Sequence, residues 1–139
     1  KMARIVALDY GLKRTGIAVT DPMQIIATGL TTIHSQEMIP FLKNYMKTET
    51  IEKIVIGLPA NWDGSDTHGT APAVEAIRIL KKNFPDIPVI SVDERYTSKM
   101  AKDAMLQMGM KKKDRRDKKV VDEIAATIIL QEFMESQKP

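Results

Sequence analysis

The stretch Ile5-Val6-Ala7-Leu8-Asp9-Tyr10-Gly11-Leu12-Lys13-Arg14-Thr15-Gly16-Ile17-Ala18-Val19-Thr20-Asp21 decides the fold. Its first part is an apolar run with the length of a buried strand, and it ends on a carboxylate, Asp9. A glycine-bearing connection follows, then a second strand in which Ile17 and Val19 alternate with Ala18 and Thr20. A strand buried up to an acid at its tip presents that acid at a sheet rim, where open α/β sheets place their chemistry. Gly11 permits a sharp turn. Lys13 and Arg14 then set two cations beside the acid, a combination suited to a metal ion and a phosphate. Taken alone, the same residues also describe an ordinary hairpin with a solvated Asp at its turn.

Outward from this hairpin, Arg4 to Asp9 and Thr15 to Asp21 are the first two strands, and Asp21-Pro22 marks a turn. Gln24 to Ile33, rich in Ile and Thr, reads as a third strand with a bulge near Gly29. Three strands before any helix predict an antiparallel meander leading into crossover units. Ser35 is placed to cap a helix reaching Thr48, in which Pro40 is tolerable only within the first turn. Phe41, Leu42, Tyr45 and Met46 give that helix its apolar stripe.

Ile51 to Leu58 is a fourth strand, stopped by Pro59, and Ala60 to Gly69 is a polar loop with Asp63-Gly64 as a turn signal. Thr70 is placed to cap a helix over Ala71 to Asn83, with Val74, Ile77 and Leu80 or Lys81 at helical spacing. Val89 to Glu94 is a fifth strand, again apolar and again ending in acid. A helix from Ser98 to Met108 ends at Gly109, a basic run follows, and a long helix covers Lys119 to Glu135. The order β-β-β-α-β-α-β-α-α predicts an α/β fold over residues 1–139 as a single domain. Its mixed five-stranded sheet has three antiparallel strands and then crossover strands, flanked by helices.

The 139 residues suffice for a core without staples, and 43% hydrophobic with 28% charged residues describe an ordinary globular protein. The absence of cysteine excludes disulfides and thiolate metal sites. No apolar run approaches the roughly 20 residues that span a bilayer, so no membrane partner is expected. Asp9 and Lys13-Arg14 interrupt the first apolar stretch, which removes any reading as a signal peptide and makes the cytoplasm the expected location. The net charge of +3 is unevenly spread: residues 111–119 hold seven cations and two anions, a local +5 that leaves −2 for the rest. Such a run is either a solvated loop or an electrostatic footprint for a phosphate backbone, carried by Lys111, Lys112, Lys113, Arg115 and Arg116.

Asp9 and Glu94 each end a strand that reads as buried, and both fall on one rim if strands one, four and five are parallel neighbours. A third acid, Asp122, lies in the last helix. At about 100° per residue it shares a face with Ala125, Ala126, Ile129 and Phe133, while Glu123 is turned toward solvent. A carboxylate on an apolar face is expensive without a partner, and two alanines below it allow the helix to approach the sheet closely. Three carboxylates without a thiolate make a hard oxygen site suited to Mg²⁺ or Mn²⁺. A pair of such ions would activate water against a phosphodiester. Each acid also has a structural reading, with Asp93 or Glu94 pairing with Arg95 and Asp122 serving as a helix N-terminal charge. His34 at a strand end and His68 in the polar loop are lesser candidates for lining the site.

The stretch Leu8 to Asp21 resembles the opening motif of the YqgF (RuvX) family. Gly57-Leu58-Pro59, Asp63-Gly64-Ser65, Asp93-Glu94-Arg95-Tyr96-Thr97-Ser98, and Lys119 together with Asp122 to Gln131, resemble its later motifs in the same order. The resemblance covers essentially the whole chain. It implies a ribonuclease H-like fold, and members are described as Holliday-junction resolvases or as nucleases that finish the 5′ end of 16S ribosomal RNA. It implies Asp9, Glu94 and Asp122 as metal-binding catalytic acids, with Lys13, Arg14 and Arg95 facing phosphate. The fourth strand ends on Gly57-Leu58-Pro59 without an acid, so the second acid must come from the fifth strand. Ala60-Asn61-Trp62 stands where the resemblance leads one to expect an aliphatic residue and Met, and Trp62 is either a stacking surface for a base or a loop anchor.

The leading expectation is a metal-dependent nuclease acting on structured nucleic acid, with precursor ribosomal RNA favoured over branched DNA and the chain a monomer or a dimer. A Holliday junction resolvase, or a non-catalytic nucleic-acid-binding module on the same fold, is the alternative. A sugar-kinase- or actin-like phosphotransferase also opens with an acid-glycine hairpin, but it needs two such domains to enclose a nucleotide.

Overall fold

The computed structural model describes residues 2–59, 68–94, 103 and 117–139. Five strands, β1 (Arg4–Tyr10), β2 (Arg14–Thr20), β3 (Ala27–His34), β4 (Ile51–Leu58) and β5 (Val89–Asp93), form one sheet in the order β3-β2-β1-β4-β5. β1, β2 and β3 run antiparallel, while β1, β4 and β5 are parallel neighbours, as the meander-then-crossover reading expects. The helices are α1 (Met38–Tyr45), α2 (Thr70–Asn83) and α3 (Lys118–Ser136), with a 3₁₀ turn at Ser35–Glu37 leading into α1. Apart from Asp103, which is helical, the predicted helix over Ser98 to Met108 lies outside the described residues, as does the predicted turn at Asp63-Gly64.

The alternation of side chains along β1 splits the core in two. Val6 and Leu8 join Ile17, Val19, Ile54 and Ile56 under α1 and α2, where Met38, Leu42, Ala76 and Leu80 meet them. Ile5 and Ala7 join Ala18 and Val55 on the other face, under Ala126, Ile129, Leu130 and Phe133 of α3. That second face is built of small residues, and two of its glycines record how closely α3 lies. A Cβ on Gly16 would stand 2.1 Å from the Asp122 carbonyl oxygen, and one on Gly29 would stand 2.6 Å from Glu123 Oε1. Among the described residues no helix is long and apolar enough to cross a membrane.

Several local expectations are corrected. β3 starts at Ala27 and not at Gln24, because the Asp21 carboxylate gathers the backbone N–H groups of Met23, Ile25 and Ile26 at 2.7–3.0 Å. Those three bonds hold Asp21 below the usual carboxylate range and wind the segment into a turn, with Gln24 at φ 58°. The bulge is present: Ile17 pairs with Thr31 and Ala18 with Gly29, so Leu30 is the extra residue. Pro40 sits in the first turn of α1 as required, but Ser35 does not cap that helix; its hydroxyl donates to the Gly11 carbonyl instead. Thr70 is the first residue of α2 and not its cap, and its hydroxyl donates back to Pro59 at 2.5 Å.

The buried stripe of α2 is Ala73, Ala76 and Leu80, which leaves Val74 53% exposed. β5 is the sheet edge, so Ser91 and Asp93 face solvent and the strand is less buried than its composition suggests. Glu123 is not turned to water, since its side chain lies over Gly29 of β3.

Candidate functional site

Asp9 shares its face of β1 with Ile5 and Ala7, the face that α3 covers, and it pairs in register with Gly16 of β2. The chain reverses between β1 and β2 through Leu12 and Lys13, closed by a hydrogen bond from the Gly11 N–H to the Arg14 carbonyl at 2.9 Å. Glycine is required there because a Cβ on Gly11 would stand 2.9 Å from that same oxygen. Ser35 fixes the turn from the β3 side. Its N–H donates to the Lys13 carbonyl at 2.9 Å, and its hydroxyl contacts both the Gly11 carbonyl at 2.5 Å and the buried Thr15 hydroxyl at 2.8 Å.

Glu94 follows the last residue of β5, and its N–H reaches the Leu58 carbonyl at 3.4 Å. Its carboxyl returns over β4 to meet Asp9, with which it shares a side-chain hydrogen bond. Gly57 makes this possible: a Cβ there would lie 2.4 Å from Glu94 Oε2 and 2.6 Å from Ile129 Cδ1. The fourth strand thus contributes vacant space where it lacks an acid, and the acid of the neighbouring strand occupies it.

Asp122 arrives from the first turns of α3, which Asp117 caps by accepting the Lys119 N–H at 3.0 Å. Asp122 shares its helix face with buried Ala125, Ala126, Ile129 and Phe133, as the 100° spacing requires. The partner that such a carboxylate needs is Arg14, whose Nε donates to Asp122 Oδ2 at 2.8 Å. A hollow of about 340 Å³ lies between Asp9 and Asp122 on one side and the Gly11 to Arg14 turn on the other.

The electrostatics follow from this crowding. Burial pushes the Asp9 carboxyl up to about 6, the charge of Asp122 adds to the rise, and the hydrogen bond from Glu94 opposes it. Burial likewise pushes Glu94 up to about 9, reinforced by the charge of Asp9, by their shared hydrogen bond, and by Glu132 and Asp93 nearby. The two carboxyls therefore titrate as a pair, both pushed above the ordinary carboxylate range chiefly by burial.

All three acids predicted from the sequence are thus brought together. As they stand they are neighbours and not a closed coordination shell: among the described residues no three acidic or histidine side chains form one. The donor set nevertheless fits a divalent cation. It consists of carboxylate oxygens with no thiolate, and desolvation holds two of the carboxyls, Asp9 and Glu94, above their ordinary range.

Lys13 and Arg14 line the hollow, with Arg14 committed to Asp122 through Nε. Arg95, Lys111, Lys112, Lys113, Arg115, Arg116 and Trp62 lie outside the described residues. His68 is exposed and does not line the acid hollow, while His34 lines a second hollow that shares the turn residues Leu12, Lys13 and Arg14. Sequence reasoning missed Gly16 and Gly57 as parts of the site and took Ser35 for a helix cap. A glycine inside a strand, which marks close approach, was the available signal for the first two.

Comparison with known proteins points the same way. The profile of a family described as "RuvX: Holliday junction resolvase" matches residues 3–136. A Bacteroides fragilis protein described as "Putative pre-16S rRNA nuclease" is 53% identical over 137 residues, 99% of each chain. A Christiangramia forsetii protein with the same description is 50% identical, covering 96% of this chain and 98% of its own. Among solved structures, Thermus thermophilus RuvC in complex with a Holliday junction substrate superposes with a TM-score of 0.56 at 13% identity, covering 96% of this chain and 95% of its own. A second T. thermophilus RuvC structure gives 0.52. At that identity the likeness establishes the fold, the ribonuclease H-like fold of RuvC.

Proposed function

The chain belongs to the RuvX family of Holliday junction resolvases, and from that premise we propose that it is a divalent-metal-dependent nuclease whose substrate is the 5′ leader of precursor 16S ribosomal RNA. The observation that carries the reading is the buried carboxyl pair Asp9–Glu94 beside Asp122 on the rim of the sheet. The precursor-RNA substrate is supported by the description of the relative at 53% identity.

Asp9, Glu94 and Asp122 are the residues that would hold the metal. When bound, such an ion supplies a Lewis acid that lowers the pKa of a water and offsets charge developing on phosphate oxygens. The chain's own contributions are positional. β1 and β2 fix Asp9 against Gly16, Gly57 leaves Glu94 room to reach Asp9, and Arg14 orients Asp122. Glu94, held above its ordinary range by burial and by Asp9, would have to be ionised to serve as a ligand. Lys13, at the apex of the turn and making no ion pair among the described residues, faces the substrate backbone. Arg95 would face phosphate as well, and Lys111, Lys112, Lys113, Arg115 and Arg116 would hold the backbone away from the scissile bond. If they do, affinity falls steeply with added salt.

The test is cleavage of a 16S 5′-leader transcript by wild type and Asp9→Asn in Mg²⁺, Mn²⁺ or EDTA, with a four-way DNA junction in parallel. Metal-dependent cutting of the RNA, abolished by Asp9→Asn, supports the proposal. Cutting of the junction alone moves the substrate to branched DNA, the second reading, which the family description favours. Salt-dependent binding without cutting of either overturns the nuclease and leaves a binding module.

A further inference from the structure

Beside the acid hollow, along the turn between β1 and β2, lies a second hollow of about 420 Å³, lined by Leu12, Lys13, Arg14, His34 and Gln36. The two hollows share Leu12, Lys13 and Arg14, so a chain crossing the turn from the acids enters the second hollow directly. We propose that this second hollow is a nucleotide subsite that takes one unpaired nucleotide flanking the scissile bond, its phosphate on Lys13, its base against Leu12 and its base edge on Gln36 and His34. The inference rests on the nucleic-acid reading above and deepens it.

Four observations carry the assignment. First, Leu12 is 78% exposed, although nothing in the fold requires an apolar side chain at that apex. An exposed aliphatic surface beside a polyanion site is suited to the face of a base, as with the apolar side chains that nucleic-acid-binding proteins set against base steps. Second, Lys13, His34 and Gln36 are exposed and make no side-chain hydrogen bond or ion pair among the described residues, so their donors and acceptors are available to a ligand. A glutamine amide offers one donor and one acceptor together, the pattern that matches an adenine edge.

Third, among the described residues the lining contains no acid. The acid hollow repels a free phosphate until a cation is present, whereas the second hollow presents the unpaired ammonium of Lys13 beside Arg14, whose charge is shared with Asp122. Fourth, its walls are held in place. His34 pairs with Arg14 across β2 and β3, and Ser35, between His34 and Gln36, bonds to the Gly11 and Lys13 carbonyls and to the Thr15 hydroxyl. The subsite is therefore preformed and rigidly referred to Asp9. Its volume lies in the range of small-molecule pockets of about 300–1,000 Å³ and so suits one splayed nucleotide. Base edges in an RNA duplex are not open to such a pocket, which is why the nucleotide it takes is unpaired.

The test separates the subsite from the chemistry. In the Asp9→Asn protein, fluorescence anisotropy measures binding of labelled single-stranded leader oligonucleotides, each with one abasic position moved along the chain. Ribo- and deoxyribo-series distinguish the two sugar backbones. The subsite predicts one position at which loss of the base weakens binding about 5- to 10-fold, in line with a single base–side-chain contact. In His34→Ala/Gln36→Ala that position becomes insensitive, while the melting temperature and the salt dependence stay as in the parent. Leu12→Ala reduces the same penalty by itself. A flat abasic profile, or a profile unchanged in the double variant, overturns the subsite, as does a failure to bind any oligonucleotide. Residual cleavage by Asp9→Asn would instead strike the nuclease reading, and the abasic profile would be unaffected by it.

Discussion

Arg14 Nε donates to Asp122 Oδ2 at 2.8 Å, joining a hairpin near the start of the chain to a helix 108 positions later. The pair is only partly exposed, 32% on Arg14 and 20% on Asp122, and it is what makes a carboxylate acceptable on the apolar face of α3. Removing Arg14 as alanine is expected to lower cleavage by about 10- to 100-fold, the usual cost of losing the group that orients a metal-ligating residue. Arg14→Lys should recover little, because an ammonium lacks the planar Nε–H fork. Parallel assays of the two variants with the leader transcript check this; full activity in Arg14→Lys would contradict an orienting role.

Gly57→Ala should separate activity from stability. The added methyl would displace Glu94 Oε2, 2.4 Å from it, and crowd Ile129 Cδ1, both of them ends of side chains that can shift. The stability cost is expected at about 1–3 kcal/mol for overpacking. Cleavage should fall by about 100-fold, since a misplacement of about 1 Å has that effect in a catalytic site. Urea denaturation and single-turnover cleavage on the same preparation measure the two quantities.

Gly16→Ala should not separate them. Its methyl meets the Asp122 carbonyl oxygen at 2.1 Å and carbon at 2.4 Å, which are backbone atoms of α3 and cannot step aside. The helix would have to lift from β2, so the expected loss is about 3 kcal/mol or more. The soluble yield and the thermal melt report it directly, and a melt within a degree or two of wild type would refute the close contact.

The Asp9–Glu94 pair gives the metal-free protein a characteristic pH dependence. Both groups titrate above their ordinary values, Asp9 near 6 instead of 3.8 and Glu94 near 9 instead of 4.5. Ionising them is therefore harder in the fold than in the unfolded chain. Their contribution to stability is complete below pH about 4 and is lost as pH rises, through about 6 for Asp9 and about 9 for Glu94. In EDTA the melting temperature should decline between pH 5 and 9 from this source, as a trend in scans over that range. Glu94→Gln should flatten most of that decline and Asp9→Asn its lower part. Mg²⁺, by neutralising the pair, should raise the melt most at the alkaline end. Identical slopes in wild type and Glu94→Gln would exclude the pair as the cause.

Ser35→Ala tests the bolt on the turn. It removes a hydrogen bond to the Gly11 carbonyl and leaves the buried Thr15 hydroxyl without its 2.8 Å partner. The expected loss is about 1–3 kcal/mol, the range for stranding a buried polar group. Chemical denaturation checks the magnitude. Adding Thr15→Val, which removes the stranded hydroxyl, should return part of the loss.

The sheet and the three acids were legible because each rests on a strong local pattern. Apolar runs end in Asp9 and near Glu94, and helical spacing places Asp122 above two alanines. What was not legible depends on contacts distant in sequence or on competition within a turn. Ile25 and Ile26 favour a strand, but the Asp21 carboxylate captures their N–H groups first. Ser35 has the composition of a helix cap, yet its partner lies 24 positions earlier. Glu94 depends on what Gly57 lacks, a relation between two strands that only their parallel register reveals. Val74 fits the helical stripe by spacing, whereas the smaller Ala73 and Ala76 are the residues that fit against the sheet.

The contact between Gly16 and the Asp122 backbone also sets when the site comes into being. Arg14 and Asp122 meet only after the intervening chain has been gathered, so the entropy of closing that long loop is met before their bond is made. Until α3 docks, Ala7, Ala18 and Val55 remain as a bare apolar sheet face, and Asp9 lacks its third acid. Docking covers that face and completes the acid cluster in one step. The acid cluster therefore depends on the same docking of α3 that covers the sheet face.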